Sequence, residues 1–344
     1  MTAKLNWPKP AMLNPEKIAI VLATYNPHPD YFRQQIASIQ AQTWQNWVCH
    51  LVDDCSHPES QQMIQALVSQ DDRFICHFHP QNLNSYHNFE RGLEYVAADA
   101  AVTAIAFADQ DDIWQPQKLE VLLKTLRVEQ ALLVHSDLEL IDGSDRTLHA
   151  SAWEFESRQP EKLTAEFLLL RNTVTGCSLL FCASLLPSVL PFPLQTEVNW
   201  YHDVWAAIVA AQLGKVAHVR QPLVRYRIHG SNTIGVVRDA GKFYRELIVW
   251  LSKKCRITGK SYLIHRNLSR AFYLRFQQQT NPQWRDPFSD RHLDFGFGIL
   301  RLAWQSWRSG YGSEGIAFRI WALKVLFDLK KLRQKLTPKL FIKA

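Results

Sequence analysis

The sequence predicts an α/β fold with a mostly parallel sheet flanked by helices, and three observations carry that expectation. Over residues 16–134, short apolar runs alternate with stretches whose apolar residues recur at helical spacing. Three of those runs end directly in polar or acidic residues: TYN at 24–26, DD at 53–54 and DQDD at 109–112. The charge balance then reverses along the chain. Residues 1–237 hold 17 Lys and Arg against 25 Asp and Glu, whereas residues 238–344 hold 22 against 7; the balances of −8 and +15 sum to the overall +7. An acidic front and a basic tail imply two kinds of surface on one chain.

The elements follow in order. Residues 18–22 (IAIVL) read as a strand ending in the turn-like TYNP. Phe32, Ile36 and Ile39 share one helical face. Residues 47–52 (WVCHLV) form the next strand and run into Asp53 and Asp54, followed by a helix marked by Met63, Ile64 and Leu67. Residues 74–78 (FICHF) are a strand, and Phe89, Leu93 and Val96 a helix. The strand at 102–107 (VTAIAF) leads into the acidic cluster, a helix follows with Leu119, Leu122, Leu123 and Leu126, and residues 131–134 (ALLV) begin another strand. Strands alternating with helices imply right-handed βαβ units. Ligands of such sheets bind beyond the carboxyl ends of the strands, so the three polar clusters are expected to line one crevice.

At 344 residues and 47% hydrophobic content the chain has ample material for one large or two modest domains. The division expected is an N-terminal extension at 1–14, a catalytic domain at 15–237 and a helical, basic region at 238–344. The start of the chain does not read as a signal peptide, no segment is expected to cross a membrane, and six cysteines without CxxC spacing suggest reduced thiols in a cytoplasmic protein. No GxGxxG or GxxxxGK cradle occurs. Residues 316–329 form a strongly apolar run followed by Lys330, Lys331, Arg333 and Lys335, the pattern of a helix lying on an anionic membrane surface.

The cluster at 107–114, FADQDDIW, holds Asp109, Asp111 and Asp112 within four positions. Each like-charge pair at roughly 4 Å costs about 4 kcal/mol at an intermediate dielectric. A compensating cation is therefore expected. Hard oxygen ligands suit Mg2+ or Mn2+, which bind one or two carboxylates and complete their shell with phosphates and water.

The order TYN, LVDDCS, FADQDDIW, TGCSLLF, YHDVWAA and YRIHGSN, spanning about residues 15–235, resembles the family-2 glycosyltransferases with the GT-A fold. The DQDDIW form and the HD pair at 202–203 are most similar to bacterial rhamnosyltransferases of surface polysaccharide synthesis. The resemblance implies an inverting transfer of a sugar from a UDP- or dTDP-sugar to a saccharide or polyprenyl-linked acceptor, at the inner face of the cytoplasmic membrane. It implies that Asp54 reads uracil or thymine with Thr24, Tyr25 and Asn26 bracing the base, and that Asp53 turns into the fold. Asp109 and Asp111 are expected to hold ribose and metal, His229 to complete the metal shell, and Arg227 to neutralise the leaving diphosphate. Asp203 is the expected general base; His202 stands where the family commonly has glutamate. Gly176, Trp114, His202 and Trp205 are expected to meet the acceptor, the two tryptophans by stacking. The alternatives are a nucleotidyltransferase on a similar sheet, for which a Gly-rich basic loop is missing, and a non-catalytic protein that binds anionic surfaces through its tail. No nucleic-acid module is recognisable.

Overall fold

The computed structural model describes residues 16–195, 200–229, 260–276 and 297–309, together with residues 288, 320, 321, 324 and 325. The expectations placed on residues 1–14, on the basic tail after 325 and on most of the run at 316–329 lie outside the described residues. In chain order the elements are β1 (Lys17–Thr24), α1 (Pro29–Gln40), β2 (Trp47–Asp53), α2 (Pro58–Val68), β3 (Phe74–Phe78), α3 (Asn84–Ala97), β4 (Val102–Ala108), β5 (Ile113–Trp114), α4 (Lys118–Val128), β6 (Leu133–Ile141) and β7 (Thr147–His149). There follow α5 (Ala152–Phe155), α6 (Ala165–Leu170), β8 (Leu179–Cys182), α7 (Leu186–Val189), α8 (His202–Leu213), β9 (Val216–Arg227), α9 (Lys260–Phe276) and α10 (Phe297–Ser309).

The described strands form a sheet in the order β3-β2-β1-β4-β8-β6-β9-β5, with β7 on the edge of β6. Strands β1 to β4, β6 and β9 run one way, while β5, β7 and β8 run against them. This is the α/β fold with a mostly parallel sheet that the alternation predicts. The antiparallel members lie where the expectation had no strand: β8 is the LLFC of TGCSLLF, and β5 is the IW that follows the acidic cluster.

The strands at the centre are buried on both faces, and Ile18, Ile20, Leu22, Leu51, Ile105 and Phe107 are each fully covered. That burial explains their continuous apolar runs. Helix α3 packs on β1 and β2 through Phe89, Leu93 and Val96. Gly92 makes the approach this close: a Cβ there would lie 2.2 Å from Val21 Cγ1. Overpacking at such a point costs about 1–3 kcal/mol.

The chain forms two compact units. One comprises residues 16–152, 174–192 and 209–229 and contains the whole sheet; the other comprises residues 153–173, 193–208 and the described residues from 260 onward. Within the second unit, α6 packs on α9 and α10, and His265 Nδ1 lies 2.7 Å from the Leu169 carbonyl oxygen. Among the described residues no helix is long and apolar enough to cross a membrane.

Candidate active site

Three neighbouring strands, β2, β1 and β4, deliver the three polar clusters to one edge of the sheet. Their parallel register runs through Thr24↔Asp53 on one side and Leu22↔Ala108 on the other, so TYN, DD and DQDD all emerge at carboxyl ends. The loops that carry them are tied together by side chains. Asn26 takes a left-handed φ of 42°, donates its N–H to Ser56 Oγ at 2.7 Å and accepts the His57 N–H on Oδ1 at 2.8 Å. Asparagine tolerates this conformation better than most residues.

Of the paired aspartates, Asp53 is a structural organiser. It is fully buried and accepts hydrogen bonds from the Thr24 hydroxyl at 3.0 Å, the Ser56 hydroxyl at 2.5 Å, the Ser56 N–H at 2.9 Å and Gln61 Nε2 at 3.1 Å. Thr24 was expected to brace a base, but its hydroxyl is bonded to Asp53 and the residue is 2% exposed. Asp54 accepts the Leu83 N–H at 2.9 Å and has Arg91 Nη1 at 3.8 Å. Burial pushes its carboxyl up, and the Leu83 N–H and Arg91 oppose that shift. Tyr25, by contrast, is half open.

The acidic loop has two faces. Asp109 and Asp111 are partly exposed, and Asp111 Oδ2 lies 2.7 Å from His229 Nε2. His229 arrives from the end of β9, so a carboxylate and an imidazole from two parts of the sheet meet. Carboxylate oxygens with one imidazole nitrogen are donors of the kind that Mg2+ or Mn2+ accept. The inner face is different. Asp112 is fully buried and accepts the Arg227 N–H at 3.2 Å. Burial and the neighbouring Asp111 charge raise its pKa. Lys118 is also fully buried, with Nζ 3.0 Å from the centre of the Trp114 ring, and burial lowers its pKa to about 7.

Asp109, Asp112 and Cys177 also lie close enough to be grouped, with donor atoms within 4.8 Å of one another. Burial pushes the Cys177 thiol well up, and its hydrogen bond to Asp112 reinforces the shift. A metal ligand must be the thiolate.

Several expected ligand contacts are replaced by packing. Arg227 is fully buried, not turned toward a leaving group. Its Nε donates to the Asp111 carbonyl at 2.9 Å, Nη1 to the Asp142 carbonyl at 3.3 Å and to Asp145 Oδ1, and Nη2 to Gln34 Oε1 at 2.6 Å. The guanidinium also lies 4.2 Å from the Tyr31 ring centre. Its planar fork thus organises the backbone of the acidic loop. Trp114 is 2% exposed, its backbone N–H donates to Ser38 Oγ at 3.0 Å, and its ring faces Lys118. Trp205 is fully buried, with Arg275 Cζ 5.5 Å from its ring centre. Neither tryptophan presents a face for stacking on a sugar. Gly176 is buried and begins the short turn before β8.

In the second unit, Asp203 lies in the first turn of α8 and accepts the Val204 N–H at 2.6 Å. A carboxylate there is favoured by the helix dipole. Its neighbour His202 is buried, and burial lowers its pKa to about 3, so the ring is neutral near pH 7. Sequence reasoning passed over Gln110, which bonds to the Tyr25 backbone, and Lys118. Their types are ordinary for a spacer and a helix start, and only the tertiary fold places them.

Comparison with known proteins agrees with this architecture. Residues 19–186 match the family model described as Glycosyl transferase family 2. An uncharacterized glycosyltransferase of Nostoc sp. (strain PCC 7120) is 29% identical over 227 residues, covering 63% of this chain and 66% of that protein. An uncharacterized glycosyltransferase of Rickettsia prowazekii is 23% identical over 258 residues, covering 74% and 77%. The chain thus spans just under two thirds of the length of the Nostoc relative. Among solved structures, S. aureus TarS (residues 1–349, solved with UDP-GlcNAc) superposes with a TM-score of 0.52 at 12% identity, covering 93% of this chain and 92% of that one. It shares the GT-A fold. Asp203 and His229 lie beyond the stretch matched by the family model.

Proposed function

We infer that this chain is an inverting, divalent-metal-dependent glycosyltransferase that takes its sugar from a UDP- or dTDP-sugar. The observation that carries this reading is the convergence of the TYN, DD and DQDD loops at adjacent strand ends, with His229 against Asp111. Asp109, Asp111 and His229 would hold the divalent ion, which when bound would supply the positive charge that a leaving nucleotide diphosphate needs. Tyr25, Asn26 and Asp54 hold the base. An acceptor such as the Asp54 carboxylate favours the imide N–H of uracil or thymine and leaves cytosine unpaired.

Asp203 is the general base. It takes the proton of an acceptor hydroxyl as that oxygen bonds to the anomeric carbon and the bond to the diphosphate oxygen breaks on the opposite face. The neutral imidazole of His202 has no proton to give as an imidazolium and serves the acceptor side as a hydrogen-bonding group; Gly176 leaves room for the acceptor. Arg227 acts indirectly, by holding the acidic loop. The motif forms FADQDDIW and HD favour L-rhamnose as the sugar, with a saccharide or polyprenyl-linked acceptor of surface polysaccharide at the inner face of the cytoplasmic membrane. The basic region after residue 238 supplies peripheral contact with anionic lipid.

The test is turnover of a panel of UDP- and dTDP-sugars, with dTDP-rhamnose and UDP-GlcNAc included because TarS was solved with the latter. Release of UDP or dTDP that depends on Mn2+ or Mg2+ is expected, and Asp203→Asn should lower it by at least about 10²-fold, the usual size of a lost general base. Release of pyrophosphate from a nucleoside triphosphate instead would assign the site to nucleotidyl transfer.

A further inference from the structure

The backbone ladder between β1 and β4 ends at Leu22↔Ala108. Beyond it the two strands open into the base-holding loop and the acidic loop, and a side chain takes the place of the ladder. Gln110 Oε1 accepts the Tyr25 N–H at 2.8 Å, and Gln110 Nε2 donates to the Tyr25 carbonyl at 3.3 Å. A primary amide presents a donor and an acceptor side by side. It therefore reproduces one rung of a strand pairing where two loops diverge. On its other side, Tyr25 is followed by Asn26, which is fastened to Ser56 and His57. The half-open Tyr25 ring, 50% exposed, is carried by a backbone tied both to the acidic loop and to the loop after β2.

Gln110 also stands between Asp109 and Asp111 in the chain. Any displacement of the carboxylates relative to Tyr25 strains both of its hydrogen bonds. We propose that Gln110 is a positioning residue that fixes the spacing between the base end and the diphosphate end of the donor nucleotide. The proposal rests on the nucleotide-sugar reading of the site. Its consequence is that one nucleotide engages both loops without having to order them first, which is preorganisation in the donor-binding step.

The experiment compares wild-type protein with Gln110→Ala and Gln110→Glu, each as the full chain, using donor KM, kcat and melting temperature. Glutamate keeps an acceptor for the Tyr25 N–H and loses the donor to the carbonyl. The expected result is a donor KM raised about tenfold in Gln110→Ala, the scale of one or two lost hydrogen bonds, and at least as much in Gln110→Glu, whose carboxylate faces the Tyr25 carbonyl and adds a negative charge beside Asp109 and Asp111. The value of kcat should change by less than about twofold, because the bonds are made equally in ground and transition states. A role confined to folding would lower the melting temperature and the active fraction while leaving KM unchanged. An unchanged donor KM in both variants, with wild-type turnover intact, overturns the proposal alone. A wild-type protein that neither turns over a nucleotide sugar nor binds UDP overturns it together with the functional reading.

Discussion

Asp111 and Asp112 are neighbours in the chain and occupy opposite environments. Asp111 sits on the outer face of the acidic loop, partly exposed and 2.7 Å from His229 Nε2. Asp112 sits on the inner face, fully buried, with its pKa raised and with the buried Lys118 contributing the opposing charge. The difference separates two uses of one residue type. A carboxylate that must exchange water for a cation stays near solvent. One that anchors a loop sits in the core, where desolvation raises its pKa and the Arg227 backbone N–H and Lys118 offset part of that shift.

The largest expected contrast is between substitutions at these adjacent positions. Asp111→Asn should reduce sugar transfer by about 10³-fold or more, the range for loss of a charge-stabilising group. Its melting temperature should stay within about 2 °C of wild type, as for a substitution away from packed features. Asp112→Ala should act the other way round, destabilising the fold by about 1–3 kcal/mol in urea titration because the buried Arg227 backbone N–H loses its acceptor. If Asp112→Ala proves as stable as wild type, the division between inner and outer faces fails.

A smaller effect follows from Lys118 itself. Burial lowers its pKa to about 7 in the folded chain, against about 10.4 when unfolded. Between those values the unfolded chain binds more protons, so folding stability rises with pH across that window. Measured against Lys118→Met, wild type should gain stability from about pH 7 to about pH 10. A flat difference would mean that the ammonium is solvated. The same logic applies to the neutral His202. Its folded pKa of about 3 lies below its usual value, so acid favours the unfolded chain. Relative to His202→Gln, wild type should lose stability as pH falls from about 6.5 toward 3, and the loss should be absent above about pH 7.

Much of this arrangement is legible in the sequence, for physical reasons that differ by element. Strands buried on both faces must be continuously apolar, so β1, β2 and β4 announce themselves, and the polar residues that end them mark the carboxyl edge. What sequence spacing does not carry is the direction of individual side chains once a strand ends. Trp114 looked like a platform for sugars because it follows the acid cluster; two residues of antiparallel pairing with β9 turn it into the core, where Lys118 covers its ring. Arg227 looked like a diphosphate ligand because it precedes His229, yet partners from α1, from the acidic loop and from residues 142–145 enclose its guanidinium. Thr24 and Asp53 form a pair across adjacent strands, which no local pattern announces. The antiparallel β8 was hidden inside a motif read for its glycine. Its place between β4 and β6 is a tertiary outcome that alternation of strands and helices does not encode.

The central claim is that the outer face of the acidic loop holds a cation that in turn holds a nucleotide diphosphate. Isothermal titration of UDP into wild type and Asp111→Asn, each with and without Mn2+, tests it directly. The account predicts that Mn2+ tightens UDP binding at least about tenfold in wild type, about 1.4 kcal/mol, and has no effect on the variant. Equal UDP affinity with and without Mn2+ in wild type, or an equal Mn2+ effect in both proteins, would contradict it.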